Sequence, residues 1–163
     1  LKQILRDKVV SEDSFAEMMD WKNQQYLLLM GKMGPQDVLP GVSDLLKKVR
    51  AAGGKTAIGS SSRNAIRVIE LLGIRTLFDA IADGNSVHKA KPAPDIFLHA
   101  AELLGLSPKD CVVFEDASAG VDAALTAGML AVGIGPAERL GRAHLVYPAV
   151  KTVDFNEVNS LLK

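Results

Sequence analysis

The feature that most constrains the fold is a run of four apolar residues that leads directly into two carboxylates. Residues 111–114 are Cys-Val-Val-Phe, Glu115 and Asp116 follow, and a small-residue segment with helical spacing comes next. A short apolar run bounded by turn residues predicts a strand buried on both faces, as in a parallel sheet. Ligands of open α/β sheets bind beyond the carboxyl ends of the strands. The sequence therefore predicts an acidic pair at a ligand-binding edge.

Two adjacent carboxylates at such an edge need a compensating cation. Glu115 and Asp116 would otherwise repel each other and lose hydration. Mg²⁺ suits them, because it commonly takes one or two protein carboxylates together with phosphate and water. The alternative is that Glu115 points to solvent and Asp116 caps the next helix. These residues alone leave both interpretations open.

Strands and helices alternate through most of the chain. Strands are predicted at residues 55–59, 80–82, 111–114, 130–134 and 145–146, and helices at 42–52, from after 62 to 72, 94–104, 119–127 and 155–162. Alternation of this kind is typical of βαβ units with right-handed crossovers. We therefore expect an α/β protein built on a parallel sheet.

The N-terminal part has a different character. Residues 1 to about 33 are predicted to be helical, with Ser11 as a plausible N-cap. One face of this helix carries Phe15, Met19, Tyr26, Met30 and Met33. Lys22 lies in the gap of that apolar stripe, where it either extends its ammonium to the surface or approaches an anionic ligand. Two prolines and two glycines break the pattern within 34–41. We expect a helical piece at 1–34, a linker at 35–41 and the main body at 42–163.

Composition excludes several classes of function. Nineteen basic and nineteen acidic side chains give a formal net charge of zero, without a basic stripe, so neither nucleic acid nor a membrane surface is an expected partner. The single cysteine cannot form an intrachain disulfide, which fits the cytoplasm. No apolar run approaches the length that spans a bilayer.

Two further segments carry residue types that bind phosphate. Between a predicted strand and a predicted helix stand Ser60, Ser61, Ser62, Arg63 and Asn64. Their hydroxyls and backbone N–H groups favour an anion, although one serine could simply cap the helix. Lys91 stands on a loop stiffened by two prolines, where it either neutralises phosphate charge or remains an exposed lysine.

The order of these three segments resembles the haloacid dehalogenase-like phosphotransferase superfamily, and its sugar-phosphate mutase branch most. The matching motifs are residues 57–62, 91–97 and 112–120, together with Leu39-Pro40-Gly41 before the first core helix. The resemblance covers nearly the whole chain. It implies a Rossmann-like, three-layer α/β/α core with part of an α-helical cap at residues 1–34.

The resemblance also implies a role for each site residue. Ser60 would hydrogen-bond the transferring phosphoryl group, and Lys91 would balance charge on it and on the nucleophile. Glu115 and Asp116 would hold Mg²⁺. A second phosphate would face Ser62, Arg63 and Asn64 beside Ser61, and Lys22 would approach the substrate. The family often has a serine where this chain has Ala117.

The sequence departs from the family in one large respect. The family begins with a strand that ends in Asp-x-Asp, whose first aspartate is the nucleophile, and residues 1–163 contain no Asp-x-Asp. The resemblance implies that this strand is central, between those ending at Ser60 and Phe114. We therefore expect that the chain begins within the cap and that the strand belongs to a longer polypeptide or a second chain. A monomer is expected unless another chain supplies it.

The resulting expectation is a cytoplasmic, Mg²⁺-dependent enzyme acting on a small sugar phosphate. The first hypothesis is an isomerase that moves phosphate between the C1 and C6 oxygens of a glucose phosphate. A sugar-phosphate phosphatase and an inactive, phosphate-binding fragment are the alternatives. A phosphate-sensing receiver domain uses similar residue types, but it places its lysine after the acidic pair, whereas Lys91 precedes Glu115.

Overall fold

A computed structural model describes residues 10–162 of the chain. Its helices and strands, in chain order, are α1 (Glu12–Met30), α2 (Val42–Ala51), β1 (Ala57–Gly59), α3 (Ala65–Leu71), β2 (Ala80–Ala82), α4 (Asp95–Leu104), β3 (Val112–Glu115), α5 (Ser118–Thr126), β4 (Leu130–Ile134), α6 (Ala137–Leu140), β5 (Leu145–Tyr147) and α7 (Phe155–Ser160). Short 3-10 turns occur at Pro35–Asp37, Arg75–Leu77, Pro108–Asp110 and Val150–Thr152. The predicted alternation is confirmed within one to three residues at most boundaries. The helix predicted over residues 1–9 lies outside the described residues.

All five strands pair in parallel, but they form two sheets. β1 pairs with β2, with Gly59 opposite Ala82. The other sheet has the order β3-β4-β5, with Glu115 opposite Gly133. Within residues 10–162 no strand joins β1 to β3, the two strands between which the resemblance implies a further, central strand. Within that range, β1 and β3 each have one edge without a strand partner.

Two helices connect these sheets into one core. α4 packs against β1 and β2 and also contacts α5, which in turn packs against β3 and β4. The buried residues of α4 recur at helical spacing and are Ile96, Phe97, Ala100, Ala101 and Leu104. Gly105 ends this helix in the left-handed region, with φ of 67°, where an L side chain would be strained. The core therefore lies between these two helices, α4 and α5, and the strands on which they pack.

β3 is less buried than its apolar sequence predicts. Its residues are half-buried, and Phe114 is 38% exposed. β3 is an edge strand of its sheet, so one side lacks the neighbours that would cover it. β4 lies in the middle of the same sheet and includes the fully buried Ala131 and Val132. The prediction that the 111–114 run is buried on both faces is wrong for this reason.

α1 makes few contacts with the rest of the described chain. The Ser11 Oγ accepts a hydrogen bond from the Ser14 N–H at 3.2 Å, which confirms the predicted N-cap. Met30 is the only buried residue of the helix, whereas Tyr26 is exposed and Trp21 is 65% exposed. On the predicted apolar face Met30 is buried, Phe15, Met19 and Met33 are half-buried and Tyr26 is exposed, so residues 10–162 cover this face in part. No helix within that range combines the length and apolar character of a membrane span.

Candidate functional site

Lys91 links the carboxyl ends of the two sheets. Its Nζ donates to the Gly59 carbonyl oxygen, the last residue of β1, at 3.2 Å. The same ammonium forms an ion pair with Glu115, the last residue of β3. It also lies 4.4 Å from the centre of the Phe97 ring, a cation–π distance. Lys91 lies in the loop between β2 and α4, and the Lys91–Pro92 peptide bond is cis.

The Glu115 carboxylate is held on both of its oxygens. Oε1 pairs with Lys91, and Oε2 accepts backbone N–H groups from Asp116 at 3.2 Å and Ala117 at 3.3 Å. The Glu115 side chain is only 9% exposed. A buried carboxylate needs such compensation, because desolvation penalises its charged form. Glu115 is therefore directed inward rather than to solvent.

Asp116 differs from its neighbour in that its carboxylate is accessible. The residue is exposed, and no hydrogen bond or ion pair within residues 10–162 involves its side-chain oxygens. The described chain contains no group of three or more His, Cys, Asp or Glu side chains that would form a complete protein cage for a metal. Mg²⁺ does not require such a cage, because water and phosphate oxygens complete its octahedron. The donor set fits Mg²⁺ with Asp116 as the available ligand and Glu115 beside it.

The Ser60–Asn64 loop begins directly after β1 and turns tightly on its own hydroxyls. Ser60 Oγ accepts the Ser62 N–H at 3.1 Å, and Ser62 Oγ accepts the Asn64 N–H at 3.2 Å. The N–H groups of Ser61 and Arg63 have no acceptor in the part of the chain that is described. Unpaired backbone N–H groups favour an anion. Asn64 stands at the N-cap position of α3 without a side-chain capping bond.

A second loop supports the first, and the sequence reasoning missed it. Asp83 follows β2 and is 6% exposed, with hydrogen bonds from the Asn85 N–H and the Ser86 hydroxyl. Gly84 donates its N–H to the Ser62 carbonyl, and the Asn85 Nδ2 donates to the Arg63 carbonyl. The signal was available, because Asp83 follows an apolar strand just as Glu115 does.

Opposing effects act on the pKa of Asp83. Burial works to raise this pKa, but the hydrogen bonds from Asn85 and Ser86 outweigh it and lower the pKa below 3.8. The carboxylate is therefore ionised at neutral pH. As an acceptor for both neighbours, it holds the supporting loop in the shape that contacts residues 62 and 63.

Two features stand apart from this edge. Lys22 is exposed on α1, and no hydrogen bond or ion pair links it to another described residue. A shallow cavity of about 690 Å³ is lined by Lys48 and residues 151–156, between the end of α2 and the start of α7. Lys91 thus links the residue before Ser60 to the residue before Asp116, and no such contact involves Lys22 within the described residues.

Comparisons with known proteins agree with these motifs. The model of haloacid dehalogenase-like hydrolases matches residues 3–128. A β-phosphoglucomutase of Bacillus subtilis is 45% identical over 130 residues, which are 80% of this chain and 58% of that protein. A phosphorylated carbohydrates phosphatase of Thermotoga maritima is 35% identical over 127 residues, which are 76% of this chain and 59% of that protein. The chain thus spans about three fifths of the length of these relatives.

A solved structure shares the fold over nearly the whole chain. The crystal structure of a β-phosphoglucomutase from Clostridium difficile superposes with a TM-score of 0.88 at 36% identity, covering 99% of this chain and 74% of that one. This similarity confirms the Rossmann-like α/β fold that the motifs imply. Since the family model also matches well over half of the sequence, the chain belongs to the haloacid dehalogenase-like hydrolase family.

Proposed function

We propose that this chain contributes the phosphate-binding and Mg²⁺-binding edge of an enzyme that transfers phosphate on a sugar phosphate. The proposed reaction is that of a β-phosphoglucomutase, from β-glucose 1-phosphate to glucose 6-phosphate. The nucleophile would be an aspartate of an Asp-x-Asp strand, which residues 1–163 do not contain. The similarity to β-phosphoglucomutases over most of the chain supports this choice of reaction.

The observation that supports the proposal most is the position of the Lys91 ammonium. It contacts the carbonyl of Gly59, directly before Ser60, and the carboxylate of Glu115, directly before Asp116. Ser60 and Asp116 are therefore each one residue away from a group that Lys91 contacts, which supports a shared role for the three residues. Phosphoryl transfer depends on positioning and charge stabilisation rather than on many covalent steps, and this set of groups can supply both.

In the proposed reaction, the two sides of the edge have different tasks. Ser60 donates its hydroxyl to an oxygen of the transferring phosphoryl group, and Lys91 offsets the charge that grows there. The free N–H groups of Ser61 and Arg63 receive a phosphate oxygen, with Ser62 and Asn64 keeping the loop closed.

The acidic side of the edge would bind the metal. Asp116 would be the direct ligand of Mg²⁺, with Glu115 adding negative charge beside it. When bound, Mg²⁺ offsets the charge of the phosphoryl oxygens. Lys22 is proposed to approach the substrate from α1 when the helical part closes over the sugar. Closure of this kind excludes water, which separates transfer to a sugar from hydrolysis.

A sugar-phosphate phosphatase is the second candidate. It is favoured by the phosphatase relative, which is 35% identical to this chain over 127 residues. The two reactions use the same edge and differ in whether water or a sugar hydroxyl takes the phosphate. Product analysis therefore separates them.

The test compares the 163-residue chain with a version extended at its N-terminus by an apolar strand ending in Asp-x-Asp. Both are incubated with β-glucose 1-phosphate, Mg²⁺ and glucose 1,6-bisphosphate, and glucose 6-phosphate and free phosphate are measured. We expect glucose 6-phosphate from the extended form only. Free phosphate instead of glucose 6-phosphate would identify a phosphatase. The proposal would be overturned if the folded, extended form produced neither glucose 6-phosphate nor free phosphate.

Asp116→Asn is the site variant for this assay. It removes the accessible charge and keeps the size of the side chain, so we expect at least a hundredfold loss of the Mg²⁺-dependent rate. Asp110→Asn is the matched control, because Asp110 is an exposed aspartate just before the other end of β3. A similar loss in both variants would argue against a specific role for Asp116.

A further inference from the structure

Gly120 lies where the Glu115 side chain needs space. This glycine is buried in the first turn of α5. A Cβ built on it would overlap the Glu115 carboxylate, and its three nearest atoms all belong to that group, namely Cδ and both carboxylate oxygens. The carboxylate thus rests directly on the helix backbone at this point.

The backbone itself does not require glycine at position 120. The residue lies inside an α-helix, outside the left-handed region, where an alanine is intrinsically preferred to glycine. Glycine in such a position therefore needs another reason. The only steric reason among its nearest neighbours is the Glu115 carboxylate.

The other contacts of Glu115 show why the absence of a side chain at Gly120 matters. Lys91 holds Oε1, and the N–H groups of Asp116 and Ala117 hold Oε2. These partners fix the carboxylate from one side, and the bare backbone of Gly120 lets it approach the helix from the other. A side chain at position 120 would push the carboxylate away from this set of partners.

We propose that Gly120 is a positioning residue that determines where the Glu115 carboxylate meets the Lys91 ammonium. The functional meaning of this position rests on the function proposed above, because Lys91 and the acidic pair are its charged groups. Gly120 itself touches no reacting atom. Its role is to leave unoccupied the volume that the carboxylate fills.

The first test compares the melting temperatures of single and double variants, measured by circular dichroism. Gly120→Ala in the natural sequence should lower the melting temperature, because the carboxylate is displaced and its ion pair is lost. In a Glu115→Ala background the same substitution should raise it, because alanine then only replaces glycine in a helix. A reversal of sign between the backgrounds is the expected result. An equal shift in both would overturn the proposal.

A variant that does not fold is also informative. If Gly120→Ala fails to fold but Glu115→Ala/Gly120→Ala folds, the conflict is with the Glu115 carboxylate, as proposed. If both fail, the glycine is needed for another reason and the proposal is wrong. Gly31→Ala is the matched control, because Gly31 has an ordinary φ of −64° and its added Cβ would meet only normal contacts, the nearest at 3.5 Å.

The second test observes Lys91 directly. The ammonium protons of a lysine held in an ion pair exchange slowly enough to be seen by ¹H–¹⁵N NMR, and the signal of Lys91 is assigned by its loss in Lys91→Met. We expect Gly120→Ala to remove this signal while the signal of Lys55, whose Nζ donates to the Leu104 carbonyl at 2.7 Å, stays unchanged. Retention of the Lys91 signal would contradict the inference. Neither test requires turnover, so an inactive enzyme would refute the proposed function without refuting this role of Gly120.

Discussion

The two sheets carry candidate site residues at the carboxyl ends of β1 and β3, but they hold them in different ways. After β1, the Ser60–Asn64 loop is shaped by its own hydroxyls and by the neighbouring loop that contains Asp83. After β3, the Glu115 carboxylate depends on Lys91, a residue that is distant in sequence. One half of the site is therefore stabilised locally, and the other by a charged group that both halves share.

This difference predicts which half of the site each substitution should affect. A change in the Asp83 loop should disturb the half that contains the Ser60–Asn64 loop and leave the acidic half intact. A change at Lys91 should affect both halves, because its ammonium contacts the ends of β1 and β3. A change in α4 should affect the whole body, because this helix packs on one sheet and on the helix that covers the other.

The largest expected effect tests the claim that α4 joins the halves. Ile96→Ala should lower the free energy of unfolding by about 4 kcal/mol, because Ile96 is 1% exposed and its removal leaves a cavity. Leu98→Ala on the same helix is the control and should cost about 1 kcal/mol or less, since Leu98 is 40% exposed. Urea unfolding followed by circular dichroism measures both. Equal losses would remove the distinction between the two faces of α4.

An intermediate effect is expected at Lys91. Lys91→Met keeps much of the length of the side chain but leaves the Glu115 carboxylate without its cation. We expect a loss of about 2–3 kcal/mol in the free energy of unfolding, because a mostly buried charge is left unpaired. The double variant Lys91→Met/Glu115→Gln should recover most of this loss. Lys89→Met, an exposed lysine on the same loop, should change stability little. If the double variant is as unstable as Lys91→Met, the loss of stability does not come from the unpaired charge of Glu115.

The smallest effect is confined to the half that contains the Ser60–Asn64 loop and depends on pH. Asp83→Asn should cost about 1 kcal/mol at neutral pH through weaker hydrogen bonds. Because the pKa of Asp83 is lower in the folded protein than its ordinary 3.8, the unfolded chain binds the proton first as the pH falls. The natural protein should therefore lose its higher free energy of unfolding, relative to Asp83→Asn, as the pH falls below 3.8. Urea unfolding at neutral and acidic pH measures this difference, and a constant gap across the range would refute the assignment.

Much of this organisation could be predicted from the sequence. The acidic pair, the serine loop and Lys91 each occupy the end of a strand or a loop beside one, and polar residues after an apolar run are a local signal. The bounds of β2 and β4 are the predicted residues 80–82 and 130–134. These features depend on neighbours within a few positions, which periodicity and turn residues report.

The remaining features depend on contacts between distant segments. The exposure of Phe114 reflects the position of β3 at an edge, which its own residues do not reveal. The inward direction of Glu115 depends on Lys91 and on the missing side chain at Gly120. The apolar stripe of α1 has the pattern of a packed face, but the described residues bury Met30 fully, Phe15, Met19 and Met33 in part and Tyr26 little. A pattern indicates that a face can be buried and does not identify what covers it.

The exposed position of Trp21 has a practical consequence. It is the only tryptophan of the chain and lies on α1, away from both sheets. Its indole already meets water in the native protein, so its emission spectrum will change little when the strands come apart. Intrinsic fluorescence would therefore report on one peripheral helix, and a flat fluorescence trace across a denaturant series should not be mistaken for an intact core.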